Sequence, residues 1–109
     1  MAGERQDVNT EGRCCMFTYI EFYKLTPEWR EKLAHTPEYL EKIRAIIEEE
    51  GGKLEKTWAF MGPWDFVSFV KYPDNEAAFR VLAKIGLLGF VQTETYPAEE
   101  VEVFTKAFV

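Results

Sequence analysis

The sequence predicts an α+β domain: a four-stranded antiparallel sheet with both of its main helices on one face, in the order βαββαβ. Three observations carry that prediction. Four short segments, at 16–23, 53–61, 65–72 and 90–96, are rich in aromatic and β-branched residues and read as strands. Two longer stretches between them, opening near Thr36 and Asp74, place apolar residues at helical spacing. Glycine and proline mark the joins. Right-handed crossovers on this order give the ferredoxin-like sandwich.

In chain order, residues 1–15 are mostly polar, mix charges and lack periodicity, so they are expected as a disordered tail before one domain over 16–109. Translation starting at Met16 would remove that tail. Its Cys14 and Cys15 are adjacent and have no other cysteine to pair with, which points to reduced thiols. MFTYIEFY, from Met16, is the first strand. TPEWREKLAH at 26–35 and TPEYLEKIRA at 36–45 each put Thr at an N-cap, Pro at the first helical position and Glu in the first turn. They predict a short helix followed by a long one. Tyr39, Leu40, Ile43, Ile46 and Ile47 form the apolar stripe of the long helix, and Gly51-Gly52 ends it.

KLEKTWAFM at 53–61 and DFVSFVKY at 65–72 are strands joined by a Gly62-Pro63 turn. Asp74 is expected to cap the next helix, with Ala78, Phe79, Leu82, Ala83 and Ile85 inward and Glu76, Arg80 and Lys84 as an exposed ladder. Gly86 and Gly89 should break it. FVQTETY at 90–96 is the last strand, and AEEVEVFTKAF beyond Pro97 a terminal helix.

Bulk properties narrow the function. The 109 residues suit one domain, and a net charge of −6 without a basic patch argues against nucleic acid. No apolar run approaches the roughly 20 residues of a membrane helix, and the first residues lack a secretory segment, so the expected location is cytoplasmic. Aromatic residues are abundant, with three Trp, five Tyr and nine Phe. Helices cover only one face of such a sheet, yet the strands are apolar on both. Contiguous apolar patches of that kind are rare on monomers. A second copy of the sheet is the simplest cover, so a homodimer or higher homo-oligomer is expected.

If Ile20 and Phe22 face the helices, then Tyr19, Glu21 and Tyr23 face the covered side. The last strand would add Phe90, Gln92, Glu94 and Tyr96 there. Glu21 and Glu94 would then be neighbouring carboxylates in a partly dry space, where raised pKa values suit acid–base or binding roles. Alternatively, both reach solvent or accept hydrogen bonds from tyrosine hydroxyls.

At these residues the chain resembles a known family. MFTYIEFYKLTPE, GGKLEKTWAFMGPWDFVSFVKYPDNEAA and LLGFVQTETYP resemble the GYD domain family over about residues 16–105. The Gly-Tyr-Asp signature of that family corresponds here to Gly62-Pro63-Trp64-Asp65, with Trp in place of Tyr. The resemblance implies two ferredoxin-like units paired sheet to sheet as a dimeric α+β barrel. It brings no activity with it.

Within that signature two readings stand side by side. Gly62-Pro63 suits a tight turn and Asp65 can accept backbone N–H groups, with Trp64 packed beside Trp58 or on a partner. Trp64 and Asp65 could instead line a cavity mouth, the ring stacking on a ligand and the acid binding its polar group. His35, the single histidine, cannot make a metal site alone. No metal or other cofactor is expected, and no phosphate loop, nucleophile elbow or Cys-His pair is present.

The leading expectation is a non-enzymatic, small-molecule-binding or regulatory homodimer with an aromatic-rich pocket. Its ligand-binding candidates are Tyr19, Glu21, Tyr23, Trp58, Trp64, Asp65, Gln92 and Glu94, and its ligand would be small and apolar or aromatic. The alternative is a cofactor-independent enzyme, monooxygenase- or isomerase-like, using Glu21, Glu94, His35 or Asp65 as acid or base. A purely structural assembly module is the third possibility.

Overall fold

The computed structural model describes residues 16–108; the expected tail, with Cys14 and Cys15, lies outside the described residues. Strand β1 spans Phe17–Leu25, and a single helical turn α1, Pro27–Arg30, follows it. A 3₁₀ turn, Leu33–His35, leads into α2, Thr36–Glu49. Strands β2, Lys53–Ala59, and β3, Phe66–Tyr72, form a hairpin. Helix α3 covers Asn75–Leu88, β4 covers Val91–Ala98, and a short α4 covers Val101–Lys106. The sheet order is β2-β3-β1-β4 and every pairing is antiparallel, which is the ferredoxin-like arrangement.

The core lies between the sheet and α2 and α3. Ile43 and Ile47 of α2 and Ala77, Ala78, Val81 and Ile85 of α3 pack with Tyr19, Tyr23, Val70 and Tyr72 of the strands. From α1, Trp29 is buried against Tyr39, Phe66 and Phe90, with ring centroids 4.9, 5.7 and 5.4 Å away.

The facing of β1 is the reverse of the expected one. Tyr19, Glu21, Tyr23 and Leu25 are buried, with Val70 and Ser68 buried across from them on β3. Ile20 and Phe22 lie on the open face. Strand side chains alternate with period two, so a one-residue change of phase exchanges the faces. This phase brings two tyrosines and Leu25 into the core, and tyrosine hydroxyls satisfy the acid between them.

Some local expectations change as well. Asp74 caps α3 as predicted, its Oδ1 accepting the Ala77 N–H at 2.8 Å. Thr26 does not cap, because its hydroxyl donates to the Phe90 carbonyl at 2.8 Å. Thr36 is inside α2, where its hydroxyl donates to the Leu33 carbonyl at 2.7 Å and accepts from the Trp29 indole at 3.0 Å. Phe79 is outward and 70% exposed, since Ala77 and Val81 take the inward positions. Gly86 lies within α3, which ends at Gly89. Arg80 and Lys84 do not ladder with Glu76 but grip Glu50 at the end of α2, at 2.7 and 2.6 Å. That clasp holds the two helices together and keeps the Glu50 carboxyl below its usual range, chiefly through the Lys84 hydrogen bond.

Candidate functional site

Strand β1 divides the predicted site residues between two environments. On the helix side, Glu21 is fully buried at 0% exposure. One carboxyl oxygen accepts from the Tyr23 hydroxyl at 2.9 Å and the other accepts from the Tyr72 hydroxyl. Burial raises the carboxyl pKa, and the hydrogen bonds from Tyr72 and Tyr23 offset only part of that rise. Burial and the neighbouring acid push both phenols upward too, so both remain donors. Thr95 stands opposite Glu21 on β4, but its buried hydroxyl makes no formed hydrogen bond, so it is at most a weak influence. Tyr19 belongs to the same interior, its ring edge-on to Tyr72 at 5.1 Å and its hydroxyl bonded to Asn75. Tyr19, Glu21, Tyr23 and Tyr72 form an internal polar core, all of them buried.

The signature hairpin is a lock. Gly62, at φ 134°, adopts backbone that favours glycine and lets the chain reverse. The Asp65 carboxylate reaches across to the end of β1, where Oδ2 accepts the Leu25 N–H at 2.8 Å and the Arg30 guanidinium at 3.1 Å. The Asp65 N–H donates to the Tyr23 carbonyl at 2.8 Å, and Arg30 Nε donates to the Leu25 carbonyl at 3.2 Å. One acid thus joins the hairpin, β1 and α1. Trp64 does not pack beside Trp58; it lies on Phe22 at 5.8 Å between ring centroids.

The open face carries the remaining candidates. Phe22 is the centre of an aromatic strip, with Phe60 at 6.3 Å, Trp64 at 5.8 Å and Tyr96 at 6.0 Å. Glu94 pairs with Phe22 in register and accepts from the Tyr96 hydroxyl at 2.5 Å, while Gln92 pairs with Lys24. Trp58 is 55% exposed farther along, with the Lys56 ammonium 6.0 Å above its ring. Two adjoining grooves, which share Glu55 and Phe69, lie elsewhere on the sheet. One, of about 540 Å³, runs past Ile20, Phe69, Lys71 and Val103; the other, of about 840 Å³, past Lys53, Lys56, Trp58 and Val67.

The expected Glu21–Glu94 pair does not exist, because the sheet stands between the two carboxylates. Gln92, Glu94, Trp58 and Trp64 share the open face, Tyr19, Glu21 and Tyr23 the interior, and Asp65 the strand junction. Phe90, also expected on the open side, turns into the core against Trp29 and Tyr39. His35 is exposed at the helix junction, 3.6 Å from Glu38. Phe22, Phe60, Tyr72 and Arg30 were not among the expected site residues. Alternation along β1 carried a signal for Phe22, but Arg30 is tied to Asp65 through tertiary contact alone. Among the described residues no cluster of metal-ligating side chains occurs, and no helix is long and apolar enough to cross a membrane.

The GYD domain family profile matches residues 19–108. A protein of Thermus thermophilus, named glutamine synthetase and cystathionine beta-lyase binding protein, is 30% identical over 84 residues, covering 76% of this chain and 88% of the relative. No solved structure matches the chain.

Proposed function

The chain belongs to the GYD domain family, and from that premise we propose that it is a non-enzymatic regulatory homodimer that binds enzyme partners and a small apolar or aromatic ligand. The open aromatic face carries this reading. Phe22, Phe60, Trp64 and Tyr96 form a continuous strip on a sheet whose other side is filled by helices. A second copy laid face to face would bury that strip, and each large apolar side chain covered contributes about 1.5–3 kcal/mol. Glu94 and Gln92 would edge the space left between the sheets and supply polar contacts to a ligand. The relative named for binding glutamine synthetase and cystathionine beta-lyase supports a role exerted through other proteins. The cytoplasm is the proposed location.

Acid–base catalysis finds less support in the geometry. Glu21 is sealed, Asp65 is occupied by Leu25 and Arg30, Glu94 is on the opposite face and His35 is remote. No two of these groups converge on a common reaction space.

Two measurements test the proposal. Equilibrium sedimentation should give a particle of twice 12.7 kDa at micromolar concentration. Surface-immobilised protein should retain purified glutamine synthetase or cystathionine beta-lyase from the same organism, and a thermal-shift series with aromatic acids should raise Tm. A lone protomer that retains neither enzyme and responds to no such compound would end it.

A further inference from the structure

The C-terminal helix has an apolar face with nothing on it. Val101, Phe104 and, just beyond the helix, Phe108 are 64%, 64% and 73% exposed, and the two phenylalanine rings meet edge-on at 5.2 Å. Positions three residues apart fall on one side of a helix, so Val101 and Phe104 make a ridge, and Phe108, in the turn after the helix, packs against the Phe104 ring. Val103 borders the nearer groove of its own sheet, at Ile20 and Phe69, but the ridge itself stays uncovered. The start of the helix is acidic, with Glu99 and Glu100 before it and Glu102 in its first turn.

A complementary surface adjoins the nearer groove on the same chain, sharing Glu55 and Phe69 with it. The farther groove, on β2 and β3, has Trp58, Val67 and Phe69 as its apolar floor and Lys53 and Lys56 at its rim, with Glu55 the one acid among its lining residues. Among the described residues, neither these lysines nor Glu99, Glu100 and Glu102 make an ion pair. The groove lies at the β2 edge and α4 grows from β4 at the opposite edge. Two sheets stacked about a two-fold axis can exchange such features symmetrically, so that each contact occurs twice.

We propose that α4 is an arm that docks in the β2–β3 groove of a second copy. Val101 and Phe104 cover Trp58 and Val67, while Glu100 and Glu102 meet Lys53 and Lys56. This inference rests on the homodimer proposed above and states what clasps it. The arm adds apolar burial at the two ends of the pair, and the charges set its direction.

Cross-linking and charge exchange test it together, in a background with Cys14→Ser and Cys15→Ser. One tagged copy carries Phe104→Cys and a differently tagged copy carries Trp58→Cys. After mixing, a short bismaleimide should join the two tags. In parallel, Lys53→Glu with Lys56→Glu, or Glu100→Lys with Glu102→Lys, should each raise the dimer Kd about 3- to 10-fold. Combining all four should restore it, and ending the chain after Glu100 should raise Kd at least about tenfold. Circular dichroism confirms that each variant is folded. The arm is refuted if the two tags fail to join, if the four-residue exchange stays as weak as its halves, or if truncation leaves Kd unchanged while the dimer persists. A full-length chain that never dimerises refutes both the arm and the homodimer.

Discussion

Glu21 shows how a buried acid can tie stability to pH. Its folded pKa lies above the ordinary 4.5 because burial disfavours the charged form. Folding therefore binds a proton more tightly than the unfolded chain does. The resulting stability is fully present below pH 4.5 and declines as pH rises toward the folded pKa, by up to about 1.4 kcal/mol per pH unit. Urea unfolding between pH 5 and 8 should show this decline in the native protein and lose it in Glu21→Gln. Tyr72→Phe removes the nearest hydroxyl and should cost about 1–3 kcal/mol at neutral pH. Asp65 acts by a different route. Asp65→Ala leaves the Leu25 N–H without its partner and should cost about 1–2 kcal/mol, whereas Arg30→Gln, which removes a half-exposed ion pair and a long hydrogen bond to the Leu25 carbonyl, should cost about 1 kcal/mol or less. Equal losses in the two variants would mean that the ion pair, not the backbone bond, is the tie.

At the scale of elements, the packing of α2 onto β3 passes through Gly52. A Cβ there would lie 2.9 Å from the Lys71 carbonyl oxygen, 2.9 Å from Ile47 and 2.8 Å from Tyr72. The carbonyl belongs to the sheet and cannot swing away. Gly52→Ala is expected to lower stability by about 1–3 kcal/mol in chemical denaturation, and an unchanged midpoint would show that the helix can shift on the sheet. Much at this scale was legible in sequence. Gly51 at φ 86° and Asp74 at its cap end α2 and begin α3 where their residue types predict. The two Thr-Pro starts were legible as helices but not as caps, because Phe90, Trp29 and Leu33, remote or one turn away, compete for the same hydroxyls.

For the whole molecule the open face is decisive. Trp64→Asp puts a charge beside Phe22, where a face-to-face partner would have to desolvate it. Sedimentation should report this variant at 12.7 kDa, with its circular dichroism unchanged. A variant that remains dimeric would move the interface off this face. The excess of apolar side chains on both faces of the strands was readable from alternation alone. Which carboxylate lay on which face was not.

Residue order by itself determined the four strands, the two main helices, most of their ends and the excess of aromatic surface over what one set of helices can cover. Those are consequences of local backbone preference and hydrophobic period, which neighbouring residues carry. Only the tertiary structure decided the phase of β1. Both of its faces are apolar enough to be buried, so the choice depended on whether Glu21 could find donors on other parts of the sheet. Tyr72, which pairs with Phe17 at the far end of the β1–β3 register, reaches along the buried face to supply the donor that no local pattern announces.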